Sequence, residues 1–285
     1  MPVPRLFEAA SEPREQWAHV LATVLALGGT DGRAALLGEL AGEALPGADA
    51  IRVREQRPLA AGLAADVAVH GEGWALAVQT TLAFEAEEAD RLVATYDALA
   101  QTVERAIVVA VTPDRRPPES VLAMAGEGRD LRHRSWLRLR DWVQERPERG
   151  SVAGTDLLLL REAEYFLTPR VAELYRLEGL MPQVSAELRP ILASLFLELN
   201  ELSPAPLIAG EQGGGRIAFP RSGEAAATIH AGGGGLRLRL ATDRLGPGFA
   251  PSDGGAALAI AAPDDWAAAR CWARSEARRL LPARL

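Results

Sequence analysis

Two neighbouring apolar segments of the sequence carry polar side chains at the spacing of a divalent-metal site. Asp66 lies inside "LAADVAV", and after a Gly-Glu-Gly turn the segment "LAVQTTL" contains Gln79 and Thr81. Two apolar runs around a short glycine turn predict a β-hairpin, which would bring these groups together on adjacent antiparallel strands. Magnesium prefers hard oxygen ligands, and carboxylates from two such strands would supply them. A lysine two residues beyond the second carboxylate would orient and activate the attacking water.

This chain has the spacing but lacks two of the charges. Gln79 stands at the position of the second carboxylate, and its amide oxygen coordinates a hard dication only weakly. Thr81 stands at the position of the lysine, so the positive charge that would offset developing phosphate charge is missing. All 31 basic residues are arginine, and therefore no other lysine can take over this role.

The pattern and the order of elements resemble the PD-(D/E)xK nuclease superfamily over roughly residues 11–145. Asp66 matches its first aspartate, while Gln79 and Thr81 lie at the glutamate and lysine of its E-x-K strand. Glu15 in "REQWAHVLATVL" matches the glutamate of the first helix, and Tyr96 in "LVATYDALA" matches the tyrosine of a later helix. The resemblance implies a degenerate catalytic site of Asp66, Gln79, Thr81 and Glu15. It leaves Asp66 and Glu15 as metal ligands, with magnesium bound weakly or not at all.

Ordinary structural roles remain open for each of these residues. Asp66 also fits an outward-facing strand position, and Gln79 and Thr81 also fit the polar edge of a strand. Glu15 lies in a first helical turn, where acids interact favourably with the helix dipole whatever their function. Tyr96 also suits a hydrophobic core.

The expected function follows from the missing charges. The sequence predicts a nuclease-fold protein that binds nucleic acid, DNA or RNA, or a partner protein, without efficient catalysis. One alternative is a metal-dependent nuclease with a rearranged site, in which Arg91 supplies positive charge and Glu85, Glu87 or Glu88 supplies a carboxylate. Another is a structural subunit that forms a homodimer.

An arginine-rich segment, "RDLRHRSWLRLRDWVQER", is the main positive electrostatic signal. Basic side chains interleaved with an aromatic ring can contact a phosphate backbone and a base. The segment therefore predicts a nucleic-acid surface formed by Arg132, Arg134, Trp136 and Arg138. The alternative is a solvated face in which the arginines pair with nearby acids. Those acids are Asp130, Asp141 and Glu145.

The order of elements predicts an α/β fold. Helices, a hairpin and the buried strand "RAIVVAVT" indicate a mixed β-sheet flanked by helices, a restriction-endonuclease-like core, over residues 1–150. Two amphipathic helices predict a helical connector at 151–203. Short strands with glycine-rich turns and a final helix predict a small α+β domain at 204–285.

Bulk composition narrows the classes of protein. The chain of 285 residues is 48% hydrophobic and 24% charged, which is typical of a soluble globular protein. No apolar run approaches the roughly 20 residues of a membrane span, so we expect no membrane partner and a cytoplasmic location. A single cysteine, Cys271, excludes an intrachain disulfide, and none of the four histidines has zinc-ligand spacing. The net charge of −7 argues against a protein that coats nucleic acid but not against a local basic patch.

Overall fold

The structure of the protein, a computed structural model, describes most of the chain and divides it into two compact units. The first unit contains residues 1–81 and 85–172, and the second contains residues 82–84 and 173–285. This division does not test the expected domain boundaries near 150 and 203, which stay a prediction. The described residues are 13–47, 50–59, 63–83, 89–125, 127–148, 154–203, 206–211, 214–221 and 224–281.

The first unit is built on a five-stranded sheet with helices on both faces. Two helices, three consecutive strands and then alternating helices and strands follow one another along the chain, and the α/β class with a mixed sheet is confirmed. The helices are α1 (Pro13–Leu27), α2 (Thr30–Ala41), α3 (Ala89–Ala100), α4 (Glu119–Ala125), α5 (Trp136–Glu148) and α6 (Gly154–Tyr175), whose last residues belong to the second unit. The strands are β1 (Arg52–Pro58), β2 (Ala64–His70), β3 (Trp74–Thr80), β4 (Arg105–Thr112) and β5 (Leu131–Ser135).

The five strands lie in sequence order, β1 to β5. The pairs β1–β2 and β2–β3 are antiparallel, whereas β3–β4 and β4–β5 are parallel. The helices α3 and α4 cross over between the parallel strands, as parallel pairing requires. Because β4 is covered on both faces, its sequence is a continuous apolar run.

The two faces of this sheet have different helices and different side chains. On one face, small residues such as Ala77 and Ala106 let α3 and α4 pack close through Leu92, Leu99 and Val121. On the other face, α1 and α2 cover the alternate residues of the same strands. Successive residues of one strand face opposite sides of the sheet. A residue next in the chain to one that faces α3 therefore faces α1 and α2.

The helix α2 is capped by a carboxylate from α6 in the same unit. Asp156 accepts hydrogen bonds from the backbone N–H of Gly29 and, at 3.3 Å, of Gly32. These N–H groups have no partner inside α2, and a negative charge there also favours the helix dipole. A Cβ atom at Gly32 would lie 2.7 Å from the Asp156 carboxylate, which explains a glycine at that position.

The second unit is a six-stranded antiparallel sheet with helices on one face. Two of its strands, β6 and β10, are not predicted from the sequence. The strands are β6 (Leu207–Glu211), β7 (Gly214–Arg221), β8 (Glu224–Gly232), β9 (Gly235–Leu240), β10 (Ala250–Ser252) and β11 (Gly255–Ile260), in the order β10-β11-β9-β8-β7-β6. The helices are α7 (Arg189–Leu202) and α8 (Pro263–Leu280), preceded by 3₁₀ turns at Met181–Gln183 and Ala186–Leu188. In the part of the chain that the structure describes, no helix is both long and apolar enough to cross a bilayer.

Candidate functional site at the ends of the central strands

Asp66 is a carboxylate with three donors around it. Its Oδ2 accepts hydrogen bonds from the backbone N–H of Thr80 at 2.6 Å and from the Thr80 hydroxyl at 2.9 Å. Its Oδ1 lies 3.4 Å from Nη2 of Arg91 on α3, and the side chain is only 16% exposed. The backbone pairing of β2 with β3 is recorded from Val67–Val78 onward. The Asp66 carboxylate therefore accepts a hydrogen bond from a backbone N–H of β3, just beyond the point where the regular pairing of β2 with β3 ends.

Gln79 lies beside Asp66 and is almost completely buried, with 2% of its surface exposed. Its Nε2 donates to the carbonyl of Ala64 at 3.0 Å and to the hydroxyl of Thr95 on α3 at 3.1 Å. Arg91 donates to the same Ala64 carbonyl at 3.3 Å. The amide is therefore held between β2 and α3. Its Oε1 is buried and has no hydrogen-bond donor among the described residues.

Thr81 and Glu15 are the other two residues of the expected degenerate site. Thr81 follows the end of β3 and is 4% exposed, and its backbone N–H donates to the carbonyl of Val111. Its own carbonyl accepts a hydrogen bond from the indole of Trp136 at 2.8 Å. Glu15 is half-buried in the first turn of α1, the helix that covers the face opposite α3. Its place beside Asp66 stays a prediction.

A histidine that the sequence gives no reason to choose shares this edge of the sheet. The strand register places Gln79, Ala110 and His133 in one row, on the face of α3 and α4. His133 Nε2 lies 3.0 Å from the hydroxyl of Thr112, which lies 3.0 Å from a carboxylate oxygen of Asp114. Burial, and secondarily the nearby Arg134 charge, lower the pKa of His133 to about 4. The imidazole is therefore neutral at physiological pH.

This edge of the sheet is where ligands usually bind in α/β proteins, outside the carboxyl ends of parallel strands. The local signal for His133 was its place near the end of a strand in "LRHRS", but register with Gln79 depends on pairing through β4 and cannot be read locally.

Among the described residues, no three His, Cys, Asp or Glu side chains gather as a metal-binding group. The candidate displaced acids, Glu85, Glu87 and Glu88, lie outside the described residues.

The arginines of β5 contact acids within and just after α2 and the acid that precedes their own strand. Arg132 pairs with Asp130 and, at 3.0 Å, with Glu43. The hydrogen bond that Arg132 donates to the Asp130 carboxylate raises the pKa of Arg132, and burial opposes this effect only in part. Arg134 donates to the carbonyl of Glu39, and its burial lowers its pKa. Of the acids expected near this segment, Asp130 and Asp141 are confirmed as partners, the second of Arg140. Glu39 of α2 and Glu43, just after that helix, lie about 90 residues earlier in the chain.

Trp136 and Arg138 differ from the expected exposed surface. The Trp136 ring is completely buried and packs edge-to-face on Trp17, with ring centroids 4.7 Å apart. It has no face available to stack on a base, so the prediction of Trp136 as a nucleic-acid contact is corrected. Arg138 is 51% exposed but makes a bidentate pair with the Glu39 carboxylate, at 2.9 and 3.0 Å.

The fold and the site define an α/β protein whose mixed sheet gathers polar groups at the ends of its central strands. The chain matches no protein-family model, no curated protein and no solved structure. The nuclease resemblance therefore depends on the residues and the sheet alone.

Proposed function

We propose that the protein is a degenerate member of the PD-(D/E)xK nuclease superfamily that binds a macromolecule and does not cleave nucleic acid efficiently. Nucleic acid is the partner we favour, and a partner protein is the alternative. The antiparallel hairpin followed by two parallel strands is the arrangement that the resemblance implies. Asp66 and Gln79 lie at the positions that the resemblance gives to the metal ligands.

One observation carries the loss of catalysis: the carboxylate that the motif keeps on its strands, Asp66, is already engaged. Asp66 accepts two hydrogen bonds from Thr80 and faces Arg91. A magnesium ion at Asp66 would have to displace the arginine or lie beside its positive charge. The neighbouring Gln79 amide adds no negative charge to offset this, and hard dications are bound tightly only where carboxylates gather. Weak magnesium binding, or none, follows from that balance.

A specific observation favours the rearranged nuclease as second candidate. The Gln79 Oε1 is a buried acceptor without a donor among the described residues, and buried polar atoms of this kind usually have a partner. A metal ion held by Asp66 and this oxygen would supply one. In that arrangement Arg91 would give up its contact with Asp66 and would stabilise the charge of the transferring phosphate.

Incubation with supercoiled plasmid and single-stranded DNA, in magnesium or manganese, separates the two candidates. The matched control is Asp66→Ala, prepared in the same way, which reports contaminating nuclease. We expect the wild-type protein to cleave no faster than this variant. Metal-dependent cleavage by the wild type that Asp66→Ala lacks would refute the proposal and establish the rearranged nuclease.

A variant with the missing charges restored tests whether their loss is the cause of weak magnesium binding. Gln79→Glu with Thr81→Lys restores the second carboxylate and the cation that would activate the attacking water at the end of β3, and Arg91→Gln removes the competing charge. We expect isothermal titration calorimetry to detect tighter magnesium binding in this triple variant than in the wild type. Equal magnesium affinity in the folded variant would show that the geometry, and not the lost charges, prevents metal binding.

A further inference from the structure

The outer face of the second sheet carries a row of basic side chains across three adjacent strands. The strand register places Arg216 of β7 opposite His230 of β8, and His230 opposite Arg237 of β9. The row one residue along contains Ile217, Ile229 and Leu238, which are buried. Leu238 lines a groove with residues of α7 and α8, so the apolar row faces the helices. Because successive residues point to opposite faces, the basic row faces away from them.

These arginines are not used by internal ion pairs that the structure records. Neither Arg216 nor Arg237 is seen in an ion pair with a described side chain, in contrast to Arg132, Arg134 and Arg138 of the first unit. Arg237 and His230 are exposed, and Arg216 is half-buried. A further arginine, Arg239, lies two residues along β9 and donates to the carbonyl of Gly254.

The charge of the chain is divided unequally between the two units. Residues 173–285 contain 12 arginines and 12 acidic residues, so the net charge of −7 is carried by residues 1–172. The register places one acid of this face, Glu211 at the end of β6, opposite Gly214. The acid on the outer face of β8, Glu224, lies six residues from His230 at the far end of the strand. At about 3.3 Å per residue it is roughly 20 Å away, beyond the Debye length of about 8 Å at physiological ionic strength.

Beside the basic row is an open depression of about 410 Å³. Gly214, Gly232 and Gly235 form one cross-strand row in its wall, and His230 and Arg237 lie at its side. Glycines leave backbone N–H and C=O groups uncovered, so a ligand can approach the sheet closely there. The volume falls within the range of about 300–1,000 Å³ that is usual for sites holding a small molecule or one unit of a polymer.

We propose that this outer sheet face binds the sugar-phosphate backbone of a nucleic-acid strand, with Arg216 and Arg237 contacting phosphates. The inference deepens the proposed function, and rests on it for the choice of nucleic acid as partner. Charge complementarity supplies the attraction, and the glycine row lets a nucleotide unit reach the backbone. The described residues of this row and its depression include no Phe, Tyr or Trp, and His230 supplies their one aromatic ring. Base stacking is therefore limited among these residues, and we expect binding to depend little on sequence.

The test compares two double variants with equal loss of charge. Arg216→Gln with Arg237→Gln removes the proposed contacts, and Arg52→Gln with Arg54→Gln removes two exposed arginines from β1 of the first unit. Fluorescence anisotropy with labelled single-stranded and duplex DNA of mixed sequence gives the affinity at several salt concentrations. We expect the sheet variant to bind about tenfold more weakly at low salt. Its log-log salt dependence should be shallower by about 1.4 on single strands or about 1.8 on duplex. The β1 variant should match the wild type.

Three outcomes of the binding assay would overturn the inference, and the plasmid assay tests the proposed function separately. Equal weakening by both double variants would show a general charge effect and no site on the sheet. Binding of nucleic acid that neither variant changes would refute this surface while leaving the proposed function intact. No binding of any nucleic acid at low salt, or binding only of an acidic peptide, would also refute it and make a partner protein the better account. Cleavage by the wild type in the plasmid assay would refute the proposed function alone.

Discussion

Replacing Asp66 by alanine tests whether its carboxylate is a structural acceptor. The variant leaves the Thr80 backbone N–H, now bonded at 2.6 Å, without an acceptor at the end of a strand that is fully buried. An unsatisfied buried donor costs about 1–3 kcal/mol, and loss of the partly screened Arg91 contact adds up to about 1 kcal/mol. We expect the free energy of unfolding to fall by about 1–4 kcal/mol. For a unit of this size that lowers the melting temperature by roughly 2–16 °C.

Thermal denaturation followed by circular dichroism, with and without magnesium, measures this effect. Asp97→Ala is the matched control, because Asp97 is 53% exposed and only approaches Arg129 at 3.4 Å. A surface substitution of that kind should change stability by less than about 0.5 kcal/mol. We therefore expect Asp66→Ala to melt well below both the wild type and the control, whether or not magnesium is present.

A metal ligand would behave in the opposite way. If Asp66 were held in place for a cation, its removal would relieve unfavourable charge burial and the metal-free variant would keep or gain stability. Magnesium would then raise the melting temperature of the wild type, by binding only the folded state, and would not affect Asp66→Ala. That pair of results would refute the structural assignment.

Two further predictions concern β5 and its neighbours. Replacing Arg132, Arg134 and Arg138 together by alanine should lower the melting temperature, because these arginines pair with acids. It should leave the salt dependence of any nucleic-acid binding unchanged; a shallower slope at unaltered stability would restore this segment as a binding surface. Stability should also fall as the pH drops from about 6.5 to about 4, since the pKa of His133 is lowered in the folded state and unfolding takes up a proton there. The loss is about 1–2 kcal/mol after allowance for solvent screening, and urea unfolding of His133→Gln should show less of this pH dependence than the wild type.

The sequence predicts the elements of the first unit well, because their signals are local. The strands Trp74–Thr80 and Arg105–Thr112 have the predicted bounds, since a glycine turn limits one and a proline ends the other. The strands β6 and β10 are not predicted, because their own sequences carry only weak strand signals. The first, "LIAGE", is short and ends in glycine-rich sequence, and the second has three residues with a proline inside. In both cases pairing with a longer neighbour forms the strand.

The site is predicted less completely, because its contacts join distant segments. Adjacent antiparallel strands for Asp66 and Gln79 follow from the hairpin, and this expectation is confirmed. The engagement of Asp66 by Arg91 depends on how α3 packs, and Gln79 is held by Thr95 of the same helix. Burial of Trp136 likewise depends on α1, which no pattern around the tryptophan reveals.

Electrostatics separate the two parts of the functional proposal. In the first unit, Arg132, Arg134 and Arg138 have acidic or carbonyl partners. The net charge of −7 belongs to that unit. A phosphate backbone approaching there would have to break existing ion pairs against a repulsive field. In the second unit the charges balance, and Arg216 and Arg237 lie on an open sheet face without a recorded ion pair. We therefore expect a nucleic-acid partner on the second sheet, and we propose that the first sheet, with its Asp66 carboxylate engaged, serves as a scaffold.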